Sequence, residues 1–191
     1  RVSALPVGHY TVRAEKTGFN TATQQGLTLE VAQDLVVSPT LGVGTSAQEV
    51  VVMSETPQVQ TTTSSLGGLV NEQKMADLPL NGRNYIDLTL LQSGISHAAE
   101  AGSVTSSTTG VWFSSNGAPP RSNNIMLDGA RLVNAQGATS ATPGGTTLGV
   151  DGIREYRVIT NMFTAEYGMT MGSQVVMVSK GGTNRWSGDV F

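Results

Sequence analysis

The chain has 191 residues, of which 38% are hydrophobic, 13% charged and 5% aromatic, with 23 glycines, no cysteine and a formal net charge of −3. Without cysteine there is no disulfide scaffold, thiol nucleophile or thiolate zinc site, and so acidic and charge-poor a chain lacks the clustered Lys and Arg that nucleic-acid backbones require. The longest apolar runs, Val50–Met53 and Val175–Val178, cover four residues each, far short of the ~20 that a membrane-spanning helix needs. Arg1–Ala4 leads straight into strand-like sequence instead of a basic and then apolar leader, so the expectation is a cut or a mature end at the start and a cut at the other end. With few large apolar groups for its length it would bury only a modest core alone. Either the fold is loose or another surface covers it.

In chain order, Tyr10, Val12 and Ala14 alternate with Thr11, Arg13 and Glu15, which predicts a half-buried strand. Leu27, Leu29 and Val31 predict a second strand, and Leu35, Val37 and Leu41 a third at an edge position marked by Pro39. Three short strands read as part of a small β-sandwich. Gly42–Ser46 has linker composition. It delivers the chain to Glu49, Val50, Val51, Val52 and Met53, a β-branched run long enough for one strand, followed by a polar, Pro-containing stretch to Ser65.

From Leu69 the character changes. Asn71 is placed to cap a short helix through Met75 that Pro79 stops, and Asn84 to cap a second with Asp87 in capping-box position. Tyr85, Leu88 and Leu91 share a face, and Gly94 closes the segment. Residues 96–124 and 134–149 are long loops rich in Ser, Thr, Gly and Ala, with Ile125–Leu127 a short strand running into the Asp128-Gly129 turn. Val150 and Ile153 staple a short helix, Tyr156, Val158 and Thr160 alternate along a strand, and Gln174–Lys180 forms another. Trp186, Gly188 and Val190 then begin a further alternation that stops at Phe191.

Catalytic constellations are thin. His9 and His97 are isolated, no Gly-x-Ser-x-Gly elbow or phosphate-binding loop occurs, and Asp128, Asp151, Glu155 and Glu166 are widely spread. The expectation is no enzyme, no cofactor and no metal.

Several motifs carry a resemblance. Leu78-Pro-Leu-Asn-Gly-Arg-Asn-Tyr85, Leu90-Leu-Gln-Ser-Gly94, Ser122-Asn-Asn-Ile-Met-Leu-Asp-Gly129, Val150-Asp-Gly-Ile-Arg-Glu-Tyr156, Ala165-Glu-Tyr-Gly168 and Val175–Asn184 resemble, in order, the plug domain of TonB-dependent outer-membrane receptors. Leu5–Phe19 is similar to the second half of the carboxypeptidase-regulatory-like module found in the Oar-like branch. The loops 98–109 and 135–147 match no motif. The resemblance implies a mainly β, α+β chain: the end of a β-sandwich module (1–42), a linker with a candidate TonB box (43–65), a small mixed α/β plug domain (66–183) and a truncated first barrel strand (184–191). Such a plug sits inside a barrel of roughly 22 strands, which accounts for long polar loops and a thin core.

It further implies that Glu49, Val50, Val51, Val52 and Met53 add as a strand to the periplasmic C-terminal domain of TonB. An edge strand of the preceding sandwich and the first plug strand stay open as alternatives for the same residues. Arg83, Asp128, Arg154, Glu155 and Glu166 become candidates for latching the plug to the barrel wall. Asn116, Arg121, Asn123 and Asn124 become candidates for touching substrate. The expected partners are TonB, the chain's own barrel, the outer membrane through that barrel and an unidentified substrate, with no nucleic acid and with the N-terminal module in the periplasm. A secreted two-domain adhesion or carbohydrate-binding module is the alternative function.

Overall fold

The computed structural model describes residues 2–44, 49–53, 65–80, 84–98, 113–132, 148–162, 164–168, 170–184 and 186. The chain divides into two compact units, Arg1–Thr63 and Ser64–Phe191. Both are built mainly from β-strands with little helix, and among the described residues no sheet closes into a barrel.

In the first unit, β1 (Gly8–Ala14) and β2 (Thr21–Leu29) pair antiparallel. Burial alternates along β1 as its sequence predicts. β2 begins earlier than its Leu-rich half suggests, because Thr21 and Thr23 occupy the buried positions of its first half. Between the Tyr10–Leu27 and Val12–Gln24 pairs β2 holds one extra residue, and Gly26 there adopts φ +77°, the left-handed conformation of a glycine-led β-bulge. The connection is tied down by the Phe19–Val43 bridge, by Asn20 N–H donating to the Gly42 carbonyl at 2.9 Å and by the Lys16 ammonium 5.4 Å from the Phe19 ring centre.

The expected third strand at Leu35–Leu41 is absent. Leu35, Val37 and Leu41 are half-buried and most of their neighbours exposed, so the alternation is present, but Ala32 turns with φ +51° and Pro39 lacks a donor, and no ladder forms. The third strand is instead β3, Glu49–Met53, parallel to β2 with Thr21 opposite Glu49 and Gln25 opposite Met53. The sheet order is β1-β2-β3, leaving β3 at an edge.

The second unit holds a five-stranded mixed sheet, order β4-β9-β10-β7-β8, built from β4 (Leu66–Asn71), β7 (Asn124–Leu127), β8 (Ala130–Arg131), β9 (Ile153–Asn161) and β10 (Gln174–Ser179). β7 and β10 run parallel and the other neighbours antiparallel. A separate hairpin joins β5 (Ile95–His97) to β6 (Phe113–Ser115). Helix α1 (Glu72–Asp77) is capped by Asn71, whose side chain accepts from Lys74 N–H at 3.0 Å.

The second expected helix is a 3₁₀ helix, Tyr85–Leu91, with Asn84 accepting from Ile86 N–H and donating to the Asp87 carboxylate at 2.9 Å. Val150–Gly152 is a single 3₁₀ turn, and Ile153 belongs to β9. One face of the sheet packs Val70, Ile125, Tyr156, Val158, Val175 and Met177 against Met75, Tyr85, Ile86, Leu88 and Phe113. That layer is the core.

Candidate functional site

The second unit's loops meet at Asn123. This residue follows the 3₁₀ turn Pro120–Ser122 and is 3% exposed. Its amide nitrogen donates to the Phe113 carbonyl at 2.7 Å and to the Pro120 carbonyl at 3.1 Å. Its amide oxygen accepts from Ser173 N–H at 2.9 Å and from the Ser173 hydroxyl at 3.0 Å. A Cβ at Gly172 would overlap that oxygen, so glycine is what lets the 170–173 segment lie against it. Asn124 is also buried, its amide donating to Gln174 Oε1 at 2.8 Å across the parallel β7–β10 pair.

Of the four residues read as substrate contacts, Asn123 and Asn124 thus lie beneath the surface, Asn123 with both ends of its amide engaged and Asn124 with its amide nitrogen. A sequence rich in Ser and Asn does not distinguish an exposed amide from a buried one. Asn116 and Arg121 are exposed. Asn116 sits in a turn at φ +52°, where its side chain donates to the Thr160 carbonyl at 2.8 Å and so hooks the β6 turn onto the end of β9.

The charged candidates are dispersed. Asp128 opens the β7–β8 turn with φ +49°, followed by Gly129 at +83°, and its carboxylate accepts from Ser179 N–H at 2.9 Å, which ties the turn to the end of β10. Arg154 is exposed and Glu155 half-buried, both on β9; Glu166 is exposed in the Thr164–Tyr167 turn. Arg83 lies outside the described residues, as do residues 99–112 and 133–147 of the long loops and most of the 184–191 strand. The ion pair that the sequence did not announce is Lys180 Nζ to Glu72 Oε1, 2.9 Å, which ties the end of β10 to the first turn of α1. These two residues border an open cleft of about 350 Å³ with Met75, Leu78, Val150 and Asp151.

Among the described residues no three His, Asp or Glu side chains come together as a metal site. His9 contacts the Thr28 hydroxyl at 3.1 Å on the exposed face of the first sheet. Asp87 has its carboxyl pushed up by burial, an effect opposed by His97.

The Tyr156 hydroxyl is buried and donates to the Tyr85 carbonyl at 2.8 Å, with the two rings 5.9 Å apart. Burial raises its ionisation well above the ordinary 10.0. A raised folded value means that the neutral phenol's contribution is complete below pH 10.0 and is lost as pH climbs through the folded value. Unfolding midpoints in urea followed against pH should therefore fall in the alkaline range. Tyr156→Phe should remove that alkaline component while lowering stability by about 1 kcal/mol at neutral pH through the lost hydrogen bond.

Among the described residues these contacts brace the second unit. Over its full length the chain is 23% identical, across 194 aligned residues, to the TonB-dependent transporter Oar of Myxococcus xanthus. The resemblance is to TonB-dependent receptors. No family model matches the chain.

Solved structures similar to this chain include the ferric enterobactin receptor of Pseudomonas aeruginosa, with a TM-score of 0.46 and 17% identity over 60% of this chain and 17% of the receptor. The siderophore receptor PirA of Acinetobacter baumannii gives a TM-score of 0.45 and 19% identity over 62% of this chain and 18% of the receptor. The chain spans only 17% of the length of the Myxococcus transporter. The Myxococcus relative is a transporter.

Proposed function

We propose that this chain is the plug-bearing part of a TonB-dependent outer-membrane transporter, which gates energised uptake of a substrate through a barrel that lies beyond these residues. The supporting observation is similarity to such a transporter along the whole of the chain. In this reading residues 1–42 end a periplasmic module, 43–65 link it to the plug, 66–183 form the plug and 184–191 begin the barrel. The plug stays within the barrel until the inner-membrane complex pulls on the linker. Arg83, Arg154, Glu155 and Glu166 are its candidate contacts with the barrel wall. Asp128 is the weakest of that group, since its carboxylate already accepts from Ser179 N–H at the end of β10. Arg121 and Asn116 are the exposed candidates for meeting substrate.

TonB meets Glu49–Met53 by strand addition, in which main-chain hydrogen bonds supply the affinity. Proline at Val51 removes one N–H and fixes φ near −65°. Val51→Pro is expected to abolish binding of this chain to the isolated C-terminal domain of TonB in titration calorimetry. Unchanged affinity would overturn the assignment of this segment.

A further inference from the structure

We infer that the partner strand meets β3 as the outermost strand of a preformed sheet, so that TonB extends the order β1-β2-β3 by one, instead of capturing 49–53 as a free peptide. This inference rests on the coupling role proposed above and specifies its geometry. Five consecutive residues of β3 are in register with Thr21–Gln25 of β2. A strand directs its backbone N–H and C=O groups to both sides, and among the described residues nothing pairs with the outer side of β3. Val51 is 52% exposed there. An unpaired edge of this kind is a template for another chain.

The opposite edge of the sheet differs in the features that discourage addition. β1 exposes His9, Thr11 and Arg13, with Arg13 paired to Glu15, and the bulge in its partner strand twists the ribbon beside it. β3 reads Glu-Val-Val-Val-Met and holds no Lys, Pro or Gly, the residues that blunt an edge. The addition is therefore directed to β3. Pairing with β2 also orders the segment beforehand, so binding avoids the backbone entropy of fixing these five residues.

The chain has no cysteine, so Thr23→Cys with Val51→Cys, a register pair of β2 and β3, allows one disulfide across strands spaced about 4.8 Å apart. Oxidation is expected to close it, and the locked chain should bind the TonB C-terminal domain within about twofold of the reduced form. On binding, backbone amides of β3 should exchange about tenfold more slowly while those of Thr21–Gln25 keep their protection. The single variants Thr23→Cys and Val51→Cys report whether the unit folds. Failure of the disulfide to close in a folded double variant, a tenfold or greater loss of affinity on locking, or deprotection of Thr21–Gln25 on binding each overturns the shared edge, the last two by showing that β3 must leave β2. Absence of binding by the reduced and unmodified chains alike overturns the coupling reading itself, and the shared edge with it.

Discussion

Gly67→Ala is expected to lower the stability of the second unit by about 3 kcal/mol, enough to detach β4 from β9. Gly67 lies on β4 opposite Ile159, and its φ is not among the left-handed ones, so alanine meets no backbone strain. The obstacle is space. A Cβ there would overlap the Val158 carbonyl oxygen and stand 2.9 Å from Ile159 Cα, and backbone in a central strand has nowhere to go. Gly68 next to it is the internal control. Its Cβ would meet only the end of the Gln92 side chain, which can rotate aside, so Gly68→Ala should lower stability by about 1 kcal/mol or less. Urea titrations of the two variants, read at equal m-value, check the contrast. Equal losses would mean that β4 adapts as a whole.

The second large effect is expected at Asn123. Asn123→Ala removes two donated and two accepted hydrogen bonds at a site that is 3% exposed. It strips the Phe113 carbonyl and the Ser173 N–H of the Asn123 side chain as partner, at about 1–3 kcal/mol for each buried group left unsatisfied. A total loss of about 3–4 kcal/mol is expected, with amide protection falling together over 113–115, 120–124 and 172–174. Asn123→Asp keeps the acceptor but not both donors, and burial raises the pKa of its carboxyl. Its stability should therefore recover partly as pH falls through that raised value. Loss of protection confined to one of the three segments would show that Asn123 does not join them.

The contrast between these residues and the legible ones is physical. Asn71, Asn84 and the Asp128-Gly129 pair act on neighbours two or three positions away, through caps and a turn whose stereochemistry each residue type prefers, and the structure has all three. β9 declares itself because Tyr156, Val158 and Thr160 alternate toward one buried face. β4 does not, since a Gly-Gly pair carries no apolar signal and its strand character comes from close approach to β9. The β5–β6 hairpin is equally silent, because its strands hold three residues each and lie 15 residues apart. Leu35–Leu41 errs in the opposite direction, with alternation present and no partner.

At the candidate site, the run Glu49–Met53 is visible as strand-forming, but its place beside β2 depends on a parallel pairing that no local rule encodes. The role of Asn123 is hidden for a related reason, since Ser173 lies fifty residues away.

The order in which the strands pair bears on how such a chain matures. β1 and β2 are joined by six residues, so the first unit's hairpin can close as soon as it is made. β4 waits for β9, more than eighty residues later, and β7 waits for β10. Loop closure over such separations is slow relative to local folding. During synthesis or export from the N-terminus, the five-stranded sheet therefore stays unassembled until Ser179 has emerged, with β4 and β7 open to other chains meanwhile. A chaperone that binds extended apolar segments would find its longest-lived target in the second unit rather than the first.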